Sequence, residues 1–167
     1  ENNLSLTRSV DFGDIDAAFS DATHVFQEKL WQHKGAAHSI ECRGVLARYE
    51  ALDDRITVWS STQVPHRVQG VIAELLGLDD LQVRVIAPAV GGGFGPKFVL
   101  YPEDTVIALA ARLLGRPVKW IEDRREYFSS TAHERDQFWD MEVAVDDDGR
   151  LLGVRGSMIH DQGAFSQ

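Results

Sequence analysis

Apolar residues recur along this chain in two rhythms. After Pro65, the positions Val68, Val71, Ile72, Leu75 and Leu76 fall at i, i+3, i+4, i+7 and i+8, the stripe of a helix with one buried face. Pro65 stands early in that helix, where its missing N–H costs little, and Gly77 supplies a left-handed stop. A second helix is predicted over about 103–114, acidic at its start and stopped by Gly115. Around these helices the rhythm shortens to β-branched runs at 83–86 and 117–121. Residues 45–50 and 55–60 read as a hairpin about Asp53 and Asp54. From 55 to 121 the order is therefore strand–helix–strand–helix–strand, an α/β pattern.

The flanks follow a period of two. Trp139, Met141, Val143 and Val145 alternate with Phe138, Asp140, Glu142 and Ala144. The run Asp146–Gly149 then turns the chain and 151–160 returns, which predicts an antiparallel hairpin. Residues 22–31 form another strand candidate. Residues 32–44 are irregular, 122–135 read as a charged connection, and 1–20 as a polar lead-in with a short helix at 15–19. The fold class expected is α+β: an α/β-type strand–helix–strand core with additional antiparallel hairpins. The domain division expected is a lead-in at 1–20 and one partial domain over 21–167.

Composition changes this picture by exclusion. The 167 residues are 44% hydrophobic with a net charge of −9, and no Lys/Arg-rich run provides the footprint of a nucleic-acid binder. No apolar stretch reaches the ~20 residues of a membrane span. The single cysteine, Cys42, fits a reducing, cytoplasmic setting. With Glu1 first and no terminal signature before Gln167, the chain is expected to be a piece of a longer one. Exposed apolar faces and self-association are expected with it.

Candidate chemistry concentrates in Val90-Gly91-Gly92-Gly93-Phe94-Gly95-Pro96-Lys97. Four glycines in five positions strip the backbone of Cβ atoms and let a ligand approach its amides. Pro96 and Phe98 exclude a Walker loop, which needs Gly and Ser or Thr at those places. Pro96 also breaks a dinucleotide fingerprint starting at Gly91. A purely structural turn remains open. Gln63, at the strand-to-helix edge before Pro65, belongs beside this loop if successive strands run parallel, and its neutral amide can donate to an oxo or carbonyl group. A helix cap is the competing reading.

His24, His33, His38 and Glu41 lack metal-ligand spacing and read as solvated loop residues, so no protein-ligated metal is expected. Cys42 has no implicated base. The acidic run Asp146–Asp148 is explained by turn chemistry.

The glycine run, preceded by Ser61-Thr62-Gln63-Val64-Pro65-His66, resembles the large molybdopterin-binding subunit of the molybdenum hydroxylases. That family includes xanthine dehydrogenase, aldehyde oxidase and aerobic carbon monoxide dehydrogenase, and the style here is nearest the last. Glu41-Cys42-Arg43-Gly44, Gly115 to Trp120, Glu122-Asp123-Arg124 and Asp161-Gln162-Gly163-Ala164-Phe165 also match in order.

The resemblance implies molybdopterin, plain or as the cytosine dinucleotide, carrying molybdenum on its dithiolene sulfurs. Gln63 matches the glutamine that approaches the metal's oxo ligand, and Gly92, Gly93, Phe94 and Gly95 match the cofactor-contacting loop. Phe98 stands where purine-hydroxylating members carry an acid, so it is the substrate-pocket candidate and speaks against xanthine. The family's glutamate base falls beyond residue 167, as do other parts of the site. The resemblance therefore implies hydroxylation of an aldehyde or heterocycle, or oxidation of carbon monoxide, by the intact protein, with iron–sulfur and FAD components on partner subunits or domains. The piece alone is expected to be inactive. A non-enzymatic module binding a cofactor or anion is the alternative.

Overall fold

The computed structural model describes residues 3–134 and 136–163. Ala164 and Phe165, which close the last matching motif, lie outside them. The chain divides into two compact units, Gly35–Glu134 and a second built from Glu1–Lys34 with Arg135–Gln167. The sequence pattern alone drew one continuous stretch from residue 21.

In the central unit a four-stranded sheet has the order β4-β3-β2-β5. Strands β2 (Gly44–Glu50) and β3 (Arg55–Ser60) form the expected antiparallel hairpin. Helix α2 (Pro65–Leu76) carries the chain from β3 to β4 (Val83–Ile86), which lies parallel to β3. Helix α3 (Pro102–Leu114) then leads to β5 (Val118–Ile121). That strand does not join β4; it pairs antiparallel with β2 at the opposite edge. Helix α3 lies on β2, β3 and β5, α2 lies on β4, and the two helices touch.

Their shared core is Val45, Ala47, Ile56, Val58, Val68, Ile72, Ala73, Val83, Ala108 and Ala111. Small Ala108 and Ala111 let α3 approach the sheet closely. Both helices end in left-handed glycines, Gly77 at φ 63° and Gly115 at φ 61°, the conformation a side chain resists. The buried stripe of α2 differs from its sequence pattern in one respect. Because the helix meets both β4 and α3, burial spreads to Ala73, and Leu75 turns outward, 65% exposed.

The charged connection after β5 contains a helix the hydrophobic pattern did not predict, α4 (Arg124–Ser130). Asp123 accepts from the Glu126 amide at 2.8 Å while Glu126 accepts from the Asp123 amide at 2.8 Å. This reciprocal pair satisfies two donors that a helix start otherwise leaves open. Tyr127, wholly buried, anchors α4 through its hydroxyl to the Ala37 carbonyl at 2.8 Å.

The other unit is a three-stranded antiparallel sheet of order β1-β6-β7, with β1 at His24–Gln32, β6 at Gln137–Val145 and β7 at Leu151–His160. The β6–β7 hairpin turns where expected: Asp146 Oδ1 accepts from the amides of Asp148 (3.0 Å) and Arg150 (2.8 Å). Helix α1 (Ile15–Ser20), capped by Asp14, packs on β7 where Gly153 leaves room for Ile15 and Ala18.

Candidate functional site

Parallel pairing of β3 with β4 carries the loops that leave both strands to the same edge of the sheet, where α/β sheets commonly hold ligands. The contacts bear this out. The Lys97 carbonyl accepts from the Gln63 amide at 2.9 Å and from the Thr62 hydroxyl at 3.3 Å. In the opposite sense, the Gly95 amide donates to Gln63 Oε1 at 3.1 Å. The β3–α2 loop and the glycine run are thus stitched together at both backbone and side chain. With its oxygen occupied by Gly95, Gln63 has its NH₂ left to offer a ligand.

Two glycines are demanded by this arrangement. A Cβ on Gly93 would stand 2.6 Å from Gln63 Cδ, and Gly95 sits at φ 104° with Glu134 Oε1 2.6 Å from its Cβ position. Phe94 between them also has a positive φ of 53° and leaves its ring 70% exposed. The amides of Gly92, Gly93 and Phe94 donate to no acceptor among the described residues. Three successive open donors on a side-chain-poor loop are suited to an anionic group. Phe98 follows in a 3₁₀ turn (Pro96–Phe98), 51% exposed, with the Arg67 guanidinium 5.3 Å from its ring centre. Pro96 has no N–H to give, and Tyr101 donates its hydroxyl to the Pro96 carbonyl at 2.8 Å.

Beneath the loop lie charges with no role assigned from sequence. Lys97 is 1% exposed, and its ammonium meets Glu41 Oε2 at 2.9 Å. Partial burial pushes the Glu41 carboxyl up, but Lys97 and the Gly91 amide outweigh it and hold the group below its ordinary value. Arg43 is buried too. Its Nε and Nη2 donate to Glu122 Oε1 at 3.0 and 2.6 Å, its backbone amide donates to Glu122 Oε2 at 2.9 Å, and Glu103 lies 3.3 Å from Nη1. The guanidinium stacks 3.7 Å from the Tyr101 ring centre. Asp104, also buried, accepts from the Ser60 hydroxyl at 2.6 Å; burial pushes its carboxyl up against the opposing pull of Ser60 and Arg43.

Of the sequence candidates, Gln63 touches both Gly93 and Gly95, and Gly92, Phe94 and Phe98 belong to the same loop. Glu41, grouped at first with the histidines, serves Lys97 instead. His38 packs edge-on against Phe128, 4.9 Å between centres. Among the described residues, no three His, Cys, Asp or Glu side chains assemble into a metal-ligand group. The buried partners Lys97, Arg43 and Glu122 were visible only as letters within motifs, because nothing local reveals a pair 79 residues apart.

The chain is 41% identical over 164 residues to the nicotine 6-hydroxylase large subunit of Paenarthrobacter nicotinovorans, covering 98% of this chain and 20% of that one. It is 37% identical over 164 residues to the carbon monoxide dehydrogenase large chain of Hydrogenophaga pseudoflava, again 98% of this chain and 20% of the relative. Among solved structures, quinoline 2-oxidoreductase from Pseudomonas putida 86 superposes with a TM-score of 0.75 at 35% identity, over 89% of this chain and 19% of that one. The chain thus spans about a fifth of the length of the curated relatives it matches. The model of the molybdopterin cofactor-binding domain matches residues 1–167 from end to end, and the chain belongs to that family, the molybdopterin-binding large subunits of the molybdenum hydroxylases.

Proposed function

We propose that this chain forms one wall of the cofactor pocket in a molybdenum hydroxylase large subunit, with residues 21–167 as part of its molybdopterin-binding domain. One observation carries the reading: the Gln63 side chain is bonded to the Gly95 amide beside a loop whose Gly92, Gly93 and Phe94 amides are open. The residues fit the group. Its phosphorylated, anionic pterin would find open donors, bare backbone at Gly93 and an aromatic ring at Phe94 here. Its metal is held by its own dithiolene sulfurs, so a chain without a His/Cys cluster suits it. When bound, the cofactor would supply the two-electron oxidant for a hydroxylation in which the substrate gains an oxygen derived from water.

Within that frame each residue has a task. Gln63 would offer its NH₂ to an oxo group of the metal centre, and the loop amides would hold and orient the pterin. Phe94 and Phe98 keep water from one side of the substrate space. Phe98 cannot bond a purine, and the names nicotine 6-hydroxylase and quinoline 2-oxidoreductase support a nitrogen heterocycle over carbon monoxide. The general base of the reaction would be a glutamate outside these 167 residues, so the piece by itself is inactive. The intact protein works in the cytoplasm with iron–sulfur and FAD components on partner subunits or domains, and the cofactor is carried plain or as the cytosine dinucleotide.

Metal analysis, together with the fluorescence of the released oxidised pterin, tests the reading on the intact protein. About one molybdenum and one pterin per chain are expected, with occupancy reduced severalfold in Gly93→Ala because the new Cβ displaces Gln63. A protein purified without either group from cells that make the cofactor overturns it.

A further inference from the structure

We propose that Glu41 is a positioning residue that fixes both ends of the glycine loop through a single oxygen. Glu41 Oε2 accepts from the Gly91 amide at 2.8 Å and from Lys97 Nζ at 2.9 Å. These partners bracket the residues 92–96, whose backbone is the part facing the ligand. The backbone reinforces the tie: the Glu41 amide donates to the Gly91 carbonyl at 3.3 Å, and Gly91 lies so close that a Cβ there would stand 2.6 Å from Glu41 Cβ.

A loop this poor in side chains has little of its own to select one conformation, since glycine loses more freedom on ordering than any other residue. Three of its residues, Gly92, Phe94 and Gly95, hold positive φ angles that the surroundings must impose. At the far side Gln63 grips Gly95, but Gln63 is itself exposed. The Lys97 side chain, in contrast, is 0% exposed and its ammonium finds Glu41 as its acceptor among the described residues. The carboxylate therefore converts a buried, fixed cation at the exit and a strand-proximal amide at the entrance into one clamp, and the open amides between them are pre-set for an anion rather than ordered by it.

The simpler account is that Glu41 only neutralises a buried lysine. The two separate in the double variant Glu41→Gln/Lys97→Met, which removes both charges and so avoids an unpaired buried one. This inference rests on the loop facing the cofactor, and the readouts are chosen so that each claim stands alone. In the purified intact protein, amide hydrogen exchange of the peptides covering 91–98 reports the loop, and molybdenum and pterin retained after dialysis report the ligand. Clamping predicts loop exchange about tenfold faster and severalfold lower cofactor retention in both Glu41→Gln and the double variant, with far-UV circular dichroism unchanged in the latter. Wild-type exchange and retention in the double variant would reduce Glu41 to charge compensation and overturn the proposal. If the parent protein holds no cofactor, the proposed function fails, and loop exchange still decides for or against the clamp.

Discussion

Arg43 ties together four elements of the central unit. It joins β2 to the end of β5 through Glu122, reaches α3 through Glu103 and α4 through Ser130, and stacks on Tyr101. Its side chain is 6% exposed and that of Glu122 is 0%. Removing one member of such a pair leaves the other charge buried alone, so Arg43→Ala is expected to cost about 3–5 kcal/mol, read from urea unfolding at pH 7. The same groups set the acid limit. Burial works to raise Glu122, but its bonds to Arg43 and Ser130 prevail, so its folded-state value lies below the ordinary 4.5. A lowered carboxylate lends stability that is present above its unfolded value and is lost as pH falls through the folded one. Glu41 acts in the same direction. Asp104, raised by burial, acts in the opposite one: what it contributes is present at low pH and fades as pH rises through its folded value. Stability is therefore expected to fall below about pH 4.5, and Glu122→Gln should flatten that fall while lowering the plateau at pH 7. An unchanged acid limb in the variant would remove Glu122 from the account.

At the scale of elements, the sequence was readable where signals are local. Helices α2 and α3 announced themselves by period and by terminal glycines, and the β2–β3 and β6–β7 hairpins by alternation and turn residues. If successive strands run parallel, Gln63 belongs beside the glycine loop, and the parallel pairing of β3 with β4 meets that condition. Two elements escaped. The apolar content of α4 is too low for a helical stripe, and only the Asp123–Glu126 capping box marks it. The placement of β5 beside β2 escaped because four residues carry no mark of which edge they join. The cap offers a direct check. Asp123→Ala should lower stability by about 1 kcal/mol and loosen Tyr127, seen as a shift in the urea midpoint with an unchanged slope. A null effect would mean that Tyr127 and its bond to Ala37 hold α4 unaided.

For the molecule as a whole, burial is uneven. The core lies in the central unit, whereas Phe26, Leu30, Trp31, Phe138 and Ile159 of the three-stranded sheet are all exposed. Apolar surface of this kind favours association, and the 167-residue chain on its own is expected to show rising mass in concentration-dependent light scattering, together with binding of an apolar dye. A monomer at every concentration without dye binding would count against it. No helix among the described residues is long and apolar enough to cross a membrane. The division into two units was not legible, because it depends on β1 pairing with a strand more than a hundred residues later, and alternation reveals a strand without naming its neighbour.

That discontinuous sheet has a consequence in time. During synthesis β1 leaves the ribosome long before β6, the strand it pairs with among the described residues, exists. At about 5–20 residues per second, the wait lasts on the order of 5–20 s. The central unit, whose strands are all made by then, has that interval to close around its core. Strand β1, bearing Phe26, Leu30 and Trp31, passes it unpaired. The vulnerable moment in the biogenesis of this stretch thus belongs to β1 rather than to the glycine loop, and nascent chains halted before residue 137 are the ones that call for a chaperone.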